Sequence, residues 1–235
     1  MVTDKAKKKP YRDAVSRAVS SVLLGAIRKS AAAIPADVDL LFFGSDDFPS
    51  ASLDTLQICQ VLSEAGPRIR FRTHDSKNDK AKCEELKLLF FPAIVIQGRN
   101  KGSLRFLGTP SGYGLQILVE SLAAASTGEP GLSPRVLARL SMLKRPVGLR
   151  IFISPESEHC RRTALFGMKL AVESGLVRTE VVNHLDFPVM SKKYKIGAVP
   201  RTIVNDRDEI NGTRDGEDFI ERMLGALVAQ AEPYR

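Results

Sequence analysis

The sequence predicts an α/β protein built from two tandem units, each a central mixed sheet flanked by helices. The same order of apolar segments occurs twice, before and after the breaker-rich stretch 127–131. In each repeat a proline, Pro92 or Pro200, follows a bulky apolar residue and stands at the start of an apolar strand. Proline is tolerated at the first position of a strand. Regular alternation of strands and helices is typical of α/β folds.

Hydrophobic periodicity and breakers predict the elements of the first unit. Apolar residues at helical spacing indicate a helix over about 11–31, within a basic amino-terminal segment, 1–34. The first unit, 35–129, then has strand 37–43, helix 51–65, strand 68–73, short helix 79–88, strand 93–96, a glycine-bounded turn, strand 103–107 and helix 112–125.

The second unit, 130–235, repeats this order without the long basic segment. Its predicted elements are helix 133–144, strand 147–153, helix 160–174, strand 177–183, helix 187–193, strand 201–204, a short strand after the turn 205–208, and helix 216–229. The bond before each strand-opening proline is either the common trans form or the rarer cis form.

Composition restricts the function. The net charge of +8 comes largely from Lys5, Lys7, Lys8, Lys9 and Arg12, which we interpret as a solvated tail and not a nucleic-acid site, since no recognition motif or interleaved aromatic residue accompanies them. No apolar run reaches the roughly 20 residues of a membrane span. Residues 18–27 are apolar after a basic start, but their spacing favours a packed helix over a signal peptide.

The three cysteines, Cys59, Cys83 and Cys160, have no metal-ligand spacing, and their small number predicts a reducing, cytoplasmic location. We interpret Cys59 as a small buried hydrophobe in a helix and Cys83 as an exposed, incidental residue. His74 and His184 follow predicted strands at equivalent places in the two units, but without a carboxylate or cysteine cluster they predict no metal.

Three segments, taken in their order along the chain, resemble the glutaredoxin-like protein disulfide oxidoreductases, which are tandem thioredoxin-fold proteins. They are also similar to the amino-terminal domain of the alkyl hydroperoxide reductase flavoprotein subunit. The segments are 105–113 (Arg-Phe-Leu-Gly-Thr-Pro-Ser-Gly-Tyr), 151–171 and 196–200 (Ile-Gly-Ala-Val-Pro). The resemblance covers about residues 11–229. It implies two thioredoxin-like units, each with a thiol site at its first strand-to-helix turn, opposite a cis-proline.

The resemblance also implies a Cys-x-x-Cys pair, of which this chain keeps only the second sulfur. Ser157 occupies the position of the nucleophilic cysteine and Cys160 that of the resolving one, flanked by Arg161 and Arg162, which would favour a thiolate. In the first unit, Asp47 and Ser50 occupy the two positions by spacing, and we interpret both as helix caps. Without the first cysteine we also predict no iron–sulfur cluster and no cofactor.

Two functions remain open. The first is a binding, accessory or scaffold subunit that holds a protein or peptide in grooves beside Val199 and Pro200, with His159 nearby, and beside Phe91 and Pro92, without disulfide exchange. The second is a thiol-disulfide oxidoreductase or peroxide-linked reductase component with weak monothiol activity through Cys160. An active dithiol enzyme is not expected.

His159 lies two residues from Ser157, but with no acidic partner to orient it a hydrolytic triad is not supported. Ser157 is either natural or engineered, and the lack of a cysteine pair in the first unit favours a natural origin. The sequence leaves the partner, the oligomeric state and the role of the basic segment undetermined.

Overall fold

All the strands in the described part of the chain join into one continuous sheet. The computed structural model describes residues 21–47 and 49–230. Its helices are α1 (Ser21–Ala32), α2 (Pro49–Ala65), α3 (Lys80–Glu85), α4 (Tyr113–Thr127), α5 (Pro134–Leu140), α6 (Glu158–Glu173), α7 (Pro188–Lys193) and α8 (Gly216–Ala229). Its strands are β1 (Val38–Gly44), β2 (Ile69–Asp75), β3 (Ala93–Gln97), β4 (Ser103–Leu107), β5 (Val147–Ile153), β6 (Val177–Asn183), β7 (Arg201–Val204) and β8 (Asp208–Asn211).

The sheet consists of two equivalent halves joined edge to edge. The strand order is β2-β1-β3-β4-β6-β5-β7-β8. Strands β1 and β2 run parallel, whereas β3 and β4 form an antiparallel hairpin beside β1. The second half repeats this arrangement with β5 to β8. Because β4 pairs in parallel with β6, strands β1 and β5 point the same way and end at the same edge of the sheet.

Helices cover both faces of the sheet, as the apolar composition of the central strands requires. Successive residues of β1 alternate between two cores: Leu40 and Phe42 face the larger one, while Leu41 and Phe43 face the smaller one. The larger core contains side chains from α1, α2, α4, α5, α6 and α8. The smaller core lies under α3 and α7. Both halves therefore place the short helix after their second strand, α3 or α7, on one face and their other helices on the opposite face.

The predicted order of elements is confirmed for the described residues, with most ends shifted by one or two positions. Two helices are shorter than predicted. The helix predicted over 79–88 is α3, which ends at Glu85 before Lys87 takes a left-handed backbone conformation with φ of 51°. The helix predicted over 133–144 is α5, which ends at Leu140 with Ser141 as its C-cap residue.

Some predictions fall outside the described residues. Positions 11–20 of the first predicted helix and the basic cluster before them are among these. Within the part of the chain that the structure describes, no helix is both long and apolar enough to span a bilayer.

Candidate functional site

The strand-to-helix turn of the second half places Ser157 at the amino terminus of α6. Strand β5 ends at Ile153, and Ser157 is the N-cap residue of the helix, with extended backbone. Its hydroxyl oxygen accepts a hydrogen bond from the Cys160 backbone N–H at 3.2 Å. The serine oxygen therefore has a structural role, because it satisfies one of the amides that every helix amino terminus leaves without a partner.

Cys160 lies directly behind this cap and is closed to solvent. Its exposed fraction is 0%, and its Sγ accepts a weak hydrogen bond from the Ser154 backbone N–H at 3.5 Å. The two flanking arginines that the sequence suggests as thiolate stabilisers are engaged elsewhere. Arg161 donates to Glu120 at 2.9 Å, and an Nη of Arg162 lies 3.0 Å from the imidazole Nδ1 of His159. A reagent in solvent therefore has no direct path to this sulfur.

His159 is exposed on the first turn of α6. Within the described residues its ring hydrogen-bonds only Arg162, and its carbonyl oxygen accepts from the hydroxyls of Thr163 and Thr213. No hydrogen bond joins the imidazole to the Ser157 hydroxyl among the described residues. Ser157 consequently lacks the base that a serine nucleophile requires.

In the first half the corresponding positions differ by one residue from the sequence prediction. Strands β1 and β5 begin at Val38 and Val147, and helices α2 and α6 begin at Pro49 and Glu158, a constant offset of 109. Positions 157 and 160 therefore correspond to 48 and 51, not to Asp47 and Ser50. Residue 48 lies outside the described residues, and Ala51 carries no sulfur.

This shift also changes the capping interpretation of the first half. Ser50 lies inside the first turn of α2, not at its cap. Asp47 is exposed; its backbone N–H donates to the Ser45 hydroxyl at 3.2 Å, and its carboxylate is 4.0 Å from Lys77 Nζ. None of positions 47, 48, 50 and 51 at the first-half turn is a cysteine in the sequence.

The other wall of each site is the loop before the third strand of its half. We name residues 88–91 loop 1 and residues 196–199 loop 2. Both loops end in a cis peptide bond, Phe91-Pro92 and Val199-Pro200. The Pro92 carbonyl oxygen accepts from Gly108 N–H at 2.9 Å, and that of Pro200 accepts from Gly212 N–H at 3.0 Å.

Strand register places each loop beside the turn of the same half. Arg201 of β7 pairs with Phe152 of β5. Continuing that antiparallel register by two residues brings Val199 beside Ser154, where β5 leads into the Ser157 turn. In the first half, Ala93 pairs with Phe43, so Phe91 comes beside Ser45. Pro92 and Pro200 are buried, whereas Phe91 and Val199 are half-buried.

The backbone polar groups of Val199 are not engaged by the described part of the protein. Among the described residues, neither its N–H nor its carbonyl oxygen forms a hydrogen bond. Its side chain packs against both cores of the protein. The residue is therefore fixed in position while its main-chain donor and acceptor remain available.

Two sequence interpretations, those of Cys83 and of the two histidines, need correction. Cys83 is buried, not exposed, with an exposed fraction of 6%; burial and the nearby Asp79 raise the pKa of its thiol. His74 lies within β2 and stacks on Phe43, whereas His184 follows β6, so the two histidines are not equivalent. Within the described residues, no group of three or more His, Cys, Asp and Glu side chains could hold a metal ion.

Sequence reasoning missed the exposed apolar character of loop 1. Leu89 is 79% exposed, and Phe90 contacts Phe187 of the second half with ring centroids 6.3 Å apart. The sequence signal for this apolar loop was the run of four large apolar residues Leu88-Leu89-Phe90-Phe91. At the equivalent positions loop 2 has Ile196-Gly197-Ala198-Val199.

Comparison with known proteins supports the fold. Residues 148–225 match the family model described as a thioredoxin domain. The structure is similar to a protein disulfide oxidoreductase from Aeropyrum pernix, with a TM-score of 0.81, 23% identity, and coverage of 89% of this chain and 94% of that one.

It is also similar to the alkylhydroperoxide reductase AhpF from Enterococcus faecalis, with a TM-score of 0.79, 20% identity and coverage of 88% of this chain and 99% of that one. The NTD_N/C domain of the reductase from the same organism gives a TM-score of 0.77, 20% identity and coverage of 86% and 98%. A search of curated protein sequences finds no match. The repeated halves, the paired proline loops and these similarities together show that the chain is a protein of two tandem thioredoxin-like units.

Proposed function

We propose that the protein binds an extended segment of a protein partner at loop 2 and does so without exchanging disulfides. The observation that carries this proposal is the free main-chain donor and acceptor of Val199 beside the Ser157 turn. An extended chain that pairs with both groups gains backbone hydrogen bonds, as in strand addition, and needs no sulfur on either side.

The side chains around loop 2 fit a binding role better than a redox role. The position that would carry the attacking sulfur holds the Ser157 hydroxyl, which caps α6. The exposed residues Gly197 and Ala198 precede Val199, and a side chain built on Gly197 would meet no atom within 4 Å. A partner segment therefore has open space over the loop.

The alternative role, a weak monothiol oxidoreductase or peroxide-linked reductase component, has less support. It requires Cys160 to reach a disulfide or peroxide, but the side chain is fully buried behind the capped helix terminus. A thiolate reacts only where it is formed and accessible. The three cysteines, all buried and all free, fit the reducing cytoplasmic location that we propose for the protein.

Amide exchange measured by NMR tests the binding proposal. The probe is reduced, carboxymethylated α-lactalbumin, an unfolded chain with neither thiols nor disulfides. We expect the Val199 amide to exchange rapidly in the free protein and at least tenfold more slowly in the presence of saturating probe. The Cys160→Ala variant should bind the probe with an affinity within twofold of the original protein.

Two results would contradict the proposal. One is a probe that fails to bind, or binds while the exchange of the Val199 amide stays unchanged. The other is a large loss of affinity in Cys160→Ala when its thermal melting curve shows an intact fold, since that would make the sulfur part of the binding chemistry.

A further inference from the structure

The two loops lie on the same edge of one sheet, at a separation fixed by the strand order. Loop 1 precedes β3 and loop 2 precedes β7, and these strands occupy the third and seventh positions of the sheet. Both strands run antiparallel to β1 and β5, so both loops lie at the edge where β1 and β5 end. Four strand spacings of about 4.8 Å put the loops roughly 19 Å apart.

Loop 1 presents large apolar side chains at the surface, whereas loop 2 has small ones. Leu89 is 79% exposed, and Phe90 and Phe91 beside it are half-buried. The equivalent positions in loop 2 are Gly197, Ala198 and Val199, by an offset of 108 between Pro92 and Pro200. Exposed apolar residues that cluster on one surface indicate an interaction site more strongly than isolated ones do.

The apolar surface continues from loop 1 into the second half. The ring of Phe90 packs edge-on against that of Phe187. On either side of Phe187, Leu185 is 63% exposed and Val189 is 83% exposed. The surface between the two loops is therefore apolar and belongs to both halves of the molecule.

The charge around this surface indicates an acidic occupant. Lys87 and Lys195 stand at equivalent positions before the two loops, and Lys192 lies on α7; all three are exposed, with no carboxylate within 4 Å among the described residues. Helix α7 has two lysines and no acidic residue, and α3 has two of each sign. The Asp186 carboxylate between the loops accepts from Thr109 N–H and the Asn183 amide.

Carboxylates at the same edge lie on the other side of the loops, toward α2 and α6. Asp46, Asp47, Glu156 and Glu158 are all exposed there. Lys77 pairs with the first two, and Arg161 lies 3.8 Å from Glu158. The charge is thus divided across the edge, so the carboxylates of an acidic segment would face Lys87, Lys195 and the lysines of α7.

We propose that one continuous extended polypeptide segment, apolar at one end and acidic along its length, binds across both halves. Its apolar end packs on Leu89 and Phe90 of loop 1, and its main chain pairs with Val199 of loop 2. The span of roughly 19 Å corresponds to about six residues of extended chain. This inference rests on the proposed function and adds the partner's chemistry and the second contact.

Photo-crosslinking of the full-length protein tests the inference. Benzoylphenylalanine is placed singly at Leu89, at Ala198 or at the control position Val228, which is an exposed apolar residue on α8, on the opposite face. Each protein is irradiated with reduced, carboxymethylated α-lactalbumin, and the joined positions are mapped by mass spectrometry. We expect the Leu89 and Ala198 proteins to join to one probe segment, at positions about six residues apart, and the Val228 protein to give no product.

The outcomes separate this inference from the proposed function. Crosslinks at Ala198 with none at Leu89, or crosslinks that fall on unrelated probe segments, overturn the continuous segment and leave binding at loop 2 intact. Crosslinks at neither loop overturn both. As a second readout, Leu89→Ser should weaken probe affinity about tenfold, while Val228→Ser leaves it unchanged; equal effects of the two changes would also overturn the inference.

Discussion

Ser157 shows how one atom changes the role of a helix terminus. A sulfur at this position would receive the stabilisation that backbone amides and the helix dipole give to a thiolate. The oxygen instead accepts the Cys160 amide hydrogen and caps the helix. A serine hydroxyl needs a dedicated base to react, and the nearby His159 ring faces Arg162. The serine at this turn is therefore a helix cap, and among the described residues no base beside it prepares the hydroxyl for attack.

Because the Cys59 thiol is buried, we expect the stability of the protein to depend on pH. Cys59 is fully buried in α2, and burial strongly raises the pKa of its thiol. In the unfolded chain the thiol ionises from about pH 8.5, whereas the folded form stays neutral, so its stabilising effect is complete below that pH and is lost as pH rises. For such a thiol the free energy of unfolding should begin to fall near pH 8.5, with a slope that approaches roughly 1.4 kcal/mol per pH unit by about pH 9.5 to 10.

Urea unfolding at a series of pH values, with a reductant present, measures this slope. Cys59→Ala should give a flatter dependence than the original protein by about one thiol's contribution. Cys83, whose thiol pKa burial also raises, remains in both proteins and supplies the same background. An unchanged slope in Cys59→Ala would show that Cys59 is not protected from ionisation in the fold.

At the level of helices, strands and loops, most of the structure follows from local sequence signals. Pro92 and Pro200 before apolar runs located β3 and β7, and apolar periodicity located the long helices. The first-half turn was shifted by one residue because spacing alone does not fix where a helix begins. The exposure of Leu89 was missed because an apolar run beside a strand is normally read as core.

A buried ionic cluster joins the two halves at strands β4, β5 and β6. Glu180 of β6 accepts from Arg105 of β4 at 2.9 Å and from Arg150 of β5 at 2.8 Å. All three side chains are buried, and Arg105 also donates to the Leu86 and Lys87 carbonyl oxygens ahead of loop 1. Burial lowers the pKa of the Arg105 guanidinium, and the Glu180 carboxylate opposes that shift.

Glu180→Gln should therefore destabilise the protein by about 3 kcal/mol, because it leaves two buried guanidinium groups without their shared carboxylate. The matched control is Glu120→Gln, which removes the carboxylate of the partly exposed pair with Arg161 and should cost less than about 1 kcal/mol. Urea unfolding at pH 7 measures both. Equal and small losses would contradict a structural role for the cluster.

In the whole molecule, the two halves form one sheet and not two separate ones. The sequence predicted two similar units from their repeated order of elements, but not the pairing of β4 with β6. Strand pairing between repeats depends on the edges that each unit leaves open, and no local periodicity records it. The continuous sheet matters for function because it aligns loop 1 and loop 2 on one edge.

The reduction of insulin by dithiothreitol most directly tests the central claim that this protein acts without disulfide exchange. We predict that the original protein leaves the rate equal to that with dithiothreitol alone. Ser157→Cys should raise the rate, because a thiol at that cap would attack an insulin disulfide and Cys160 would resolve the mixed disulfide. Activity in the original protein that disappears in Cys160→Ala would contradict this claim and favour the monothiol oxidoreductase.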